Sequence, residues 1–328
     1  MEERKKQHII IFTDMASGGV RVVDLDTLPS DQEISLAEKD TVWSFVRSED
    51  KGWDMTFGTK NGIDDAKLRY SNYHQKQVVL MTSSCNWAGV AEYPSGKCLW
   101  ETRVGCSPHS IEMLPNGDIV IAVSGEDDMY SSTFAGSVIY YHMQEDGQYQ
   151  QTSRKLLRSA HGVLWDPKEN LIWALGMNGL VAYEVDATYA LEQVEGKGFE
   201  MLCGGHALSV DYQNPDLLWI GTAIDKLFKF SKDRNQVLDE YLCSDVMLEC
   251  DRSLINAKHV KGVTSFEDGV IALCKSKHCS FRGDDTVPGY ATDTIYVVQG
   301  NEVKKYIFKN LYLYKLSNFV TDYDYGRK

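Results

Sequence analysis

No stretch of this 328-residue chain approaches the ~20 consecutive apolar residues that a membrane span requires. The charged start, Met1-Glu2-Glu3-Arg4-Lys5-Lys6-Gln7, runs straight into Ile9-Ile10-Ile11-Phe12 and lacks the apolar h-region of a secretory signal. Proline is scarce, at seven residues, and no Ser/Gly/Pro-rich run separates one half from another. A single domain over residues 1–328 is therefore expected. The eight cysteines contain no CxxC pair, which removes zinc-ribbon spacing and leaves reduced thiols acting as small hydrophobes, with the cytoplasm as the expected location. Gly-x-Ser-x-Gly, P-loop and His-Glu-x-x-His motifs are missing, so serine-esterase, nucleotide and zincin chemistry are not expected. Positive charge is also in deficit. A net charge of −13 and a pI near 5.1 repel phosphate backbones and anionic lipid, arguing against nucleic acid or a membrane as partner.

What the chain has is β-strand material in a repeat. Pro108-His109-Ser110-Ile111-Glu112-Met113 leads through Leu114-Pro115-Asn116-Gly117-Asp118 to Ile119-Val120-Ile121-Ala122, a strand, a turn and a second strand. Asn-Gly between apolar runs is a hairpin signal because both turn positions need positive φ. The pattern returns at Ala160-His161-Gly162-Val163-Leu164-Trp165, at Gly205-His206-Ala207-Leu208-Ser209-Val210, and at Lys261-Gly262-Val263-Thr264-Ser265-Phe266. His161 follows His109 by 52 residues, His206 follows by 45 more, and His259 by 53 more, a period that suits a four-stranded blade with long loops. The expected fold is all-β, a six-bladed β-propeller, with five or seven blades as lesser alternatives because residues 30–72 resist assignment. Residues 9–13, 19–25 and 43–47 would supply three strands of blade one. Residues 311–316, left over after the sixth blade, would become its inner strand and close the ring, removing two exposed edges.

The Pro-His-Ser-Ile…Pro-Asn-Gly-Asp and His-Gly-Val…Asp-Pro…Leu-Ile-Trp segments resemble repeats of NHL-type propellers, gluconolactonase-like proteins and streptogramin lyases. The whole chain also resembles an uncharacterised bacterial propeller family of similar length. These likenesses imply the fold far more than a function.

Innermost propeller strands line the central channel, and their first residues ring one mouth of it. His109, His161 and His206 share that repeat position, so residues far apart in sequence are expected to converge. In the next copy Lys261 takes the position with His259 two residues before it, and strand periodicity lets both face the channel. In blade two, Lys67 and Arg69 would add cations. Imidazoles gathered this way suit a divalent zinc, manganese or iron ion; joined by Lys67, Arg69 and Lys261 they instead suit a cationic cup for a carboxylate or phosphate. The two combine in a lyase that eliminates across an acidic sugar, as the oligogalacturonate lyases imply by architecture alone. The expected assignment is metal ligation by His109, His161 and His206, catalysis by His259, Lys261 and Arg69, and substrate contact by Lys67 and by Trp43 stacking on a sugar ring. A small-molecule or oligosaccharide substrate is the expected partner. A non-catalytic ligand-binding or protein-interaction propeller is the alternative.

Overall fold

Chain reversal occurs where the turn residues stand. At residues 114–118, Gly117 has φ of 93°, Leu114 N donates to Asp118 O (2.8 Å) and Gly117 N to Leu114 O (2.9 Å). Residues 266–270 repeat this turn with Gly269 at φ of 84° and the same pair of bonds. A side chain at either glycine would strain the left-handed backbone the turn needs. The computed structural model describes residues 7–57, 62–105, 107–125, 136–201, 204–223, 226–242, 260–276 and 290–319.

The described strands form six sheets, five of four strands and one of five, arranged as the blades of a β-propeller. The inner strands are Leu313–Asn318, Asp65–Ser71, Pro108–Met113, Gly162–Asp166, Gly205–Val210 and Val260–Ser265 for blades one to six. Blade one is built from both ends of the described chain: Leu313–Asn318 pairs antiparallel with Ile9–Asp14, with Phe12 opposite Leu316 and Ile11 opposite Ser317. The closing strand begins two residues later than the sequence suggests. Gly19–Asp24 and Trp43–Phe45 complete the sheet.

A second clasp was not foreseen. Gln32–Ile34 adds in parallel to Glu302–Phe308, the fourth strand of blade six, with Ile34 opposite Phe308. Beside it, His8 spans the seam between the first and last blades, Nδ1 to Asp26 Oδ1 at 2.7 Å and Nε2 to Asp268 Oδ2 at 3.0 Å.

The core lies between blades. Each apolar cluster joins facing residues of two neighbours, such as Val78, Leu80 and Val90 of blade two with Ile111, Ile119 and Ile121 of blade three. Trp87 and Trp173 are fully buried wedges in two of these layers. Truncating such a side chain costs about 3–5 kcal/mol through the cavity left behind.

Toward the axis the problem reverses, because every inner strand has one edge with no neighbouring strand and its backbone groups need partners. Side chains of other blades supply them. Lys67 Nζ donates to Ile111 O and Val163 O (2.9 Å each), and Lys315 Nζ to His109 O and His161 O (2.6 Å each). Ser110 Oγ accepts from Val163 N (3.2 Å). Among the described residues, Asp65, Lys67, Ser110, Lys261 and Lys315 line a cavity of about 10 Å³, room for a single water.

Candidate functional site

All six inner strands start at the same end of the channel and deliver one polar residue each, or one immediately before the strand. In blade order these are Tyr314, Asp64, His109, His161, His206 and Lys261. Glycines beside them let the strands close up. A Cβ on Gly162 would lie 2.7 Å from Leu208 Cβ, and one on Gly262 would lie 2.7 Å from Leu316 N. The His161-Gly162 and Lys261-Gly262 pairs in the repeat thus combine a ring residue with the close approach that tightens the ring.

The three repeat histidines meet, as their spacing suggests. His109 and His161 stack with centroids 4.3 Å apart and planes inclined by 13°, and His161 lies 4.4 Å from His206 at 52°. A chain of polar contacts then crosses the mouth. Lys261 Nζ lies 2.8 Å from His206 Nε2, Tyr314 Oη lies 3.4 Å from that nitrogen and 3.5 Å from His109 Nδ1, and Asp64 Oδ1 lies 3.6 Å from His109 Nδ1. Only the first of these is a good hydrogen bond; the rest are long. Lys261 donates, so His206 Nε2 accepts and its proton sits on Nδ1. That Nδ1 is buried and has no hydrogen-bond partner among the described residues. His161 Nδ1 donates to Ser159 O at 2.8 Å.

Burial first, and the positive charge of Lys315 and Lys261 with it, depresses all three imidazoles, His161 to about 3 and the other two well below their ordinary value. They are neutral at pH 7. Burial likewise raises Asp64 to about 7 against the N–H of Ser84 and the charge of Lys315. It lowers Lys315 to about 8 despite Asp65, and it holds Tyr314 well above the phenol range.

Stacked imidazoles do not aim their lone pairs at one point, and Lys261 already occupies that of His206 Nε2. Among the described residues no three His, Cys, Asp or Glu side chains are grouped to hold a metal ion. The donor set as arranged does not fit the divalent ion expected from the spacing, because ligation would require breaking the stack and expelling an ammonium group.

The other residues singled out from sequence fall in different places. Lys261 is in the ring. Lys67 lies below it, with its donors engaged by Ser110 Oγ, Ile111 O and Val163 O. Arg69 is deeper still, its guanidinium forked onto Glu112 (Nε–Oε1 2.7 Å, Nη2–Oε2 2.8 Å), so it is not at the mouth as a catalytic cation. Trp43 is on the outermost strand of blade one, its Nε1 donating to Pro94 O (2.8 Å), and lines a rim groove of about 540 Å³ rather than the channel. The irregular segment around it belongs to the rim, so Trp43 is not part of the channel mouth. His259 lies outside the described residues. Asp64, Tyr314 and Lys315 were missed, although Tyr314-Lys315 holds the repeat position in the closing strand.

A model of a family of unknown function (DUF6528) matches residues 67–275. No curated protein matches the chain. Among solved structures, a protein of unknown function from Bacteroides caccae is similar with a TM-score of 0.57 at 10% identity, over 95% of this chain and 98% of that one. At that identity the likeness concerns the fold alone. Of the expected resemblance to NHL, gluconolactonase and streptogramin-lyase propellers, the structure supports the six-bladed propeller fold alone.

Proposed function

This chain belongs to the family of unknown function DUF6528, and from its own residues we propose that the histidine mouth of the channel binds a small anionic molecule, a carboxylate or phosphate. The observation that carries the reading is His206. Its Nδ1–H is a buried donor with no acceptor among the described residues, in a ring where Lys261 and Lys315 hold three neutral imidazoles in a positive field. Leaving such a donor unsatisfied costs about 1–3 kcal/mol, which an anionic acceptor recovers. Tyr314 Oη, held at 3.4–3.5 Å from two imidazole nitrogens, is a hydroxyl whose contacts are still long enough to be redirected.

Binding is favoured over the elimination chemistry that a histidine base would drive. An imidazole whose proton affinity has fallen to about pH 3 is a poor base near neutrality. The test is calorimetric titration of wild type, Lys261→Met and His206→Phe with galacturonate and with inorganic phosphate, alongside elemental analysis of protein purified without metal-affinity chromatography. Wild type should bind at least one anion, and each variant should lose tenfold or more in affinity. Stoichiometric zinc, manganese or iron, or anion binding indifferent to both substitutions, overturns the reading. Formation of an unsaturated product from the uronate would reinstate the lyase.

A further inference from the structure

The outermost strand of a blade leaves a row of backbone groups open to pairing, and proteins commonly blunt such edges with charged side chains. Five blades follow that rule. From blade two to blade six their outermost strands carry Glu101 and Arg103, Arg154 and Lys155, Glu192 and Lys197, Asp239, and Glu33. Blade one does not. Its outermost strand, Trp43–Phe45, has no charged residue, and the residues flanking it, Val42 and Val46, are 49% and 48% exposed. The same edge borders the rim groove of about 540 Å³, which Val42, Trp43 and Ser44 line together with Arg21. In blade six the edge of Glu302–Phe308 is covered by a fifth strand, Gln32–Ile34, whereas the edge of blade one has no such cover among the described residues.

Arg21 is the second observation. It lies opposite Ser44 in the strand register, so the two share a face of the sheet, and Val42 and Val46, two residues to either side of Ser44, share it too. The Arg21 guanidinium makes no hydrogen bond among the described residues. Its Nε is buried without a partner, and Asp14 Oδ2, 3.6 Å away, already accepts from Ser17 Oγ at 2.5 Å. The buried Arg47 and Arg69, by contrast, donate to Phe57 O and to Glu112. Glu38 also lines the groove and makes no ion pair with Arg21 among the described residues.

We propose that the outer edge of blade one docks an extended segment of a partner protein as a fifth strand, and that Arg21 selects a segment of the pattern apolar–x–glutamate–x–apolar. Main-chain hydrogen bonds to an added strand give affinity, and the side chains on one face give specificity. The added residue beside Ser44 lies two strand spacings from Arg21, about 9.6 Å. An arginine and a glutamate span that gap together across the small Ser44 side chain, and a carboxylate is the acceptor a guanidinium binds best. The residues two before and two after the glutamate lie against Val42 and Val46, which suits β-branched apolar side chains. Self-pairing of two copies along this edge is disfavoured. Each carries a net charge of −13, and Ser44 beside Ser44 brings no acid to either Arg21.

Three capped peptides test this by calorimetry on the full chain: Thr-Val-Thr-Glu-Thr-Val-Thr; the same peptide with Gln for Glu; and Thr-Thr-Val-Glu-Val-Thr-Thr, which keeps the composition but turns the valines to the other face. Wild type should bind the first about fivefold tighter than the Gln peptide, and the rearranged peptide more weakly than the first. Arg21→Met should bind the Glu and Gln peptides equally. Ser44→Glu, at an exposed position, hands Arg21 an acceptor from within the chain. It should reverse the preference toward the Gln peptide without changing the melting temperature, and it covers the case in which the methionine variant fails to fold. Lys261→Met, at the channel mouth, should bind all three peptides as wild type does. No binding of the first peptide at about 1 mM, or equal affinity of wild type for the first and either of the others, overturns the proposal. A dimer in sedimentation equilibrium that Ser44→Glu separates would place a second copy on this edge and overturn it as well.

Discussion

Replacing Lys67 with methionine removes the cation that ties three blades together on the channel axis. Its Nζ donates to Ile111 O and Val163 O at 2.9 Å and to Ser110 Oγ at 3.1 Å, with Asp65 Oδ2 at 3.3 Å, and the residue is 5% exposed. Methionine matches its volume but leaves two inner-edge carbonyls without their donor and the Asp65 carboxylate without its nearest charge. Burial works to raise that carboxyl; Lys67 first, then Lys315 and hydrogen bonds from Ser110 and Ile111, hold it below its usual range. Breaking a buried pair by removing one partner costs about 3–5 kcal/mol. An unfolding entropy of about 2.1 cal/mol/K per residue gives the whole chain roughly 0.7 kcal/mol/K, so the melting temperature should fall by about 4–7 °C. Thermal unfolding followed by circular dichroism, with urea midpoints as a second measure, reads the change. Adding Asp65→Asn to Lys67→Met should recover part of the loss, because the orphaned charge is then gone, with a coupling on the order of 0.5–3 kcal/mol. A shift below 1 °C for the single variant, or a double variant worse than the sum of its parts, refutes the account of the channel as a charge-balanced plug.

Acid stability carries the signature of the ring. Above pH 6.5 the imidazoles of His109, His161 and His206 are neutral folded and unfolded; below it only the unfolded chain takes up protons. Stability should therefore fall as pH drops toward the folded values, by up to about 1.4 kcal/mol per unit for each histidine, and His206→Phe should remove about a third of that slope in urea midpoints from pH 7 to 4. His8 has the opposite sign: burial opposes its charge, but Asp26 and Asp268 outweigh it and raise its pKa, so its contribution is present below 6.5 and lost as pH rises through the folded value. His8→Gln should cost about 1 kcal/mol at pH 6 and almost nothing at pH 9, measured by the same midpoints. Ending the chain before Leu311 should give an aggregating product on size-exclusion chromatography, since Ile9–Asp14 loses its partner; a monomeric, cooperatively folded truncation contradicts the closure. Dialysis against a chelator should leave the melting temperature unchanged, and a fall of several degrees would reveal a bound ion.

The propeller and four of its ring residues were legible because the strand–turn–strand unit repeats and puts His109, His161, His206 and Lys261 at one position. Asp64 and Tyr314 occupy the ring in the two blades where the repeat is degenerate. Tyr314 lies in a strand recognisable only by its role in closure, and Asp64 precedes a strand with no matching turn. The fate of Lys67 and Arg69 was hidden for a different reason. Whether a channel-facing cation stays available depends on the next inner strand, and nothing near Arg69 in sequence announces Glu112, 43 residues away, as its partner. Imidazole convergence was readable from spacing, but ring stacking, which decides against ligation, depends on side-chain angles that spacing does not encode. The parallel addition of Gln32–Ile34 to blade six rests on three residues without alternation or repeat.

The joining of Ile9–Asp14 to Leu313–Asn318 sets a clock for the nascent chain. Thr13 and Lys315 bond across a separation of 302 residues, so the first sheet has no inner strand until that many further residues have been synthesised. At about 5–20 residues per second, that interval lasts roughly 15–60 s. Throughout it Ile10, Ile11 and Phe12, all fully buried in the finished protein, sit next to an open strand edge. The earliest-made blade is consequently the last to be completed, and its yield in the cell is governed by how long that edge can be kept from pairing with another chain.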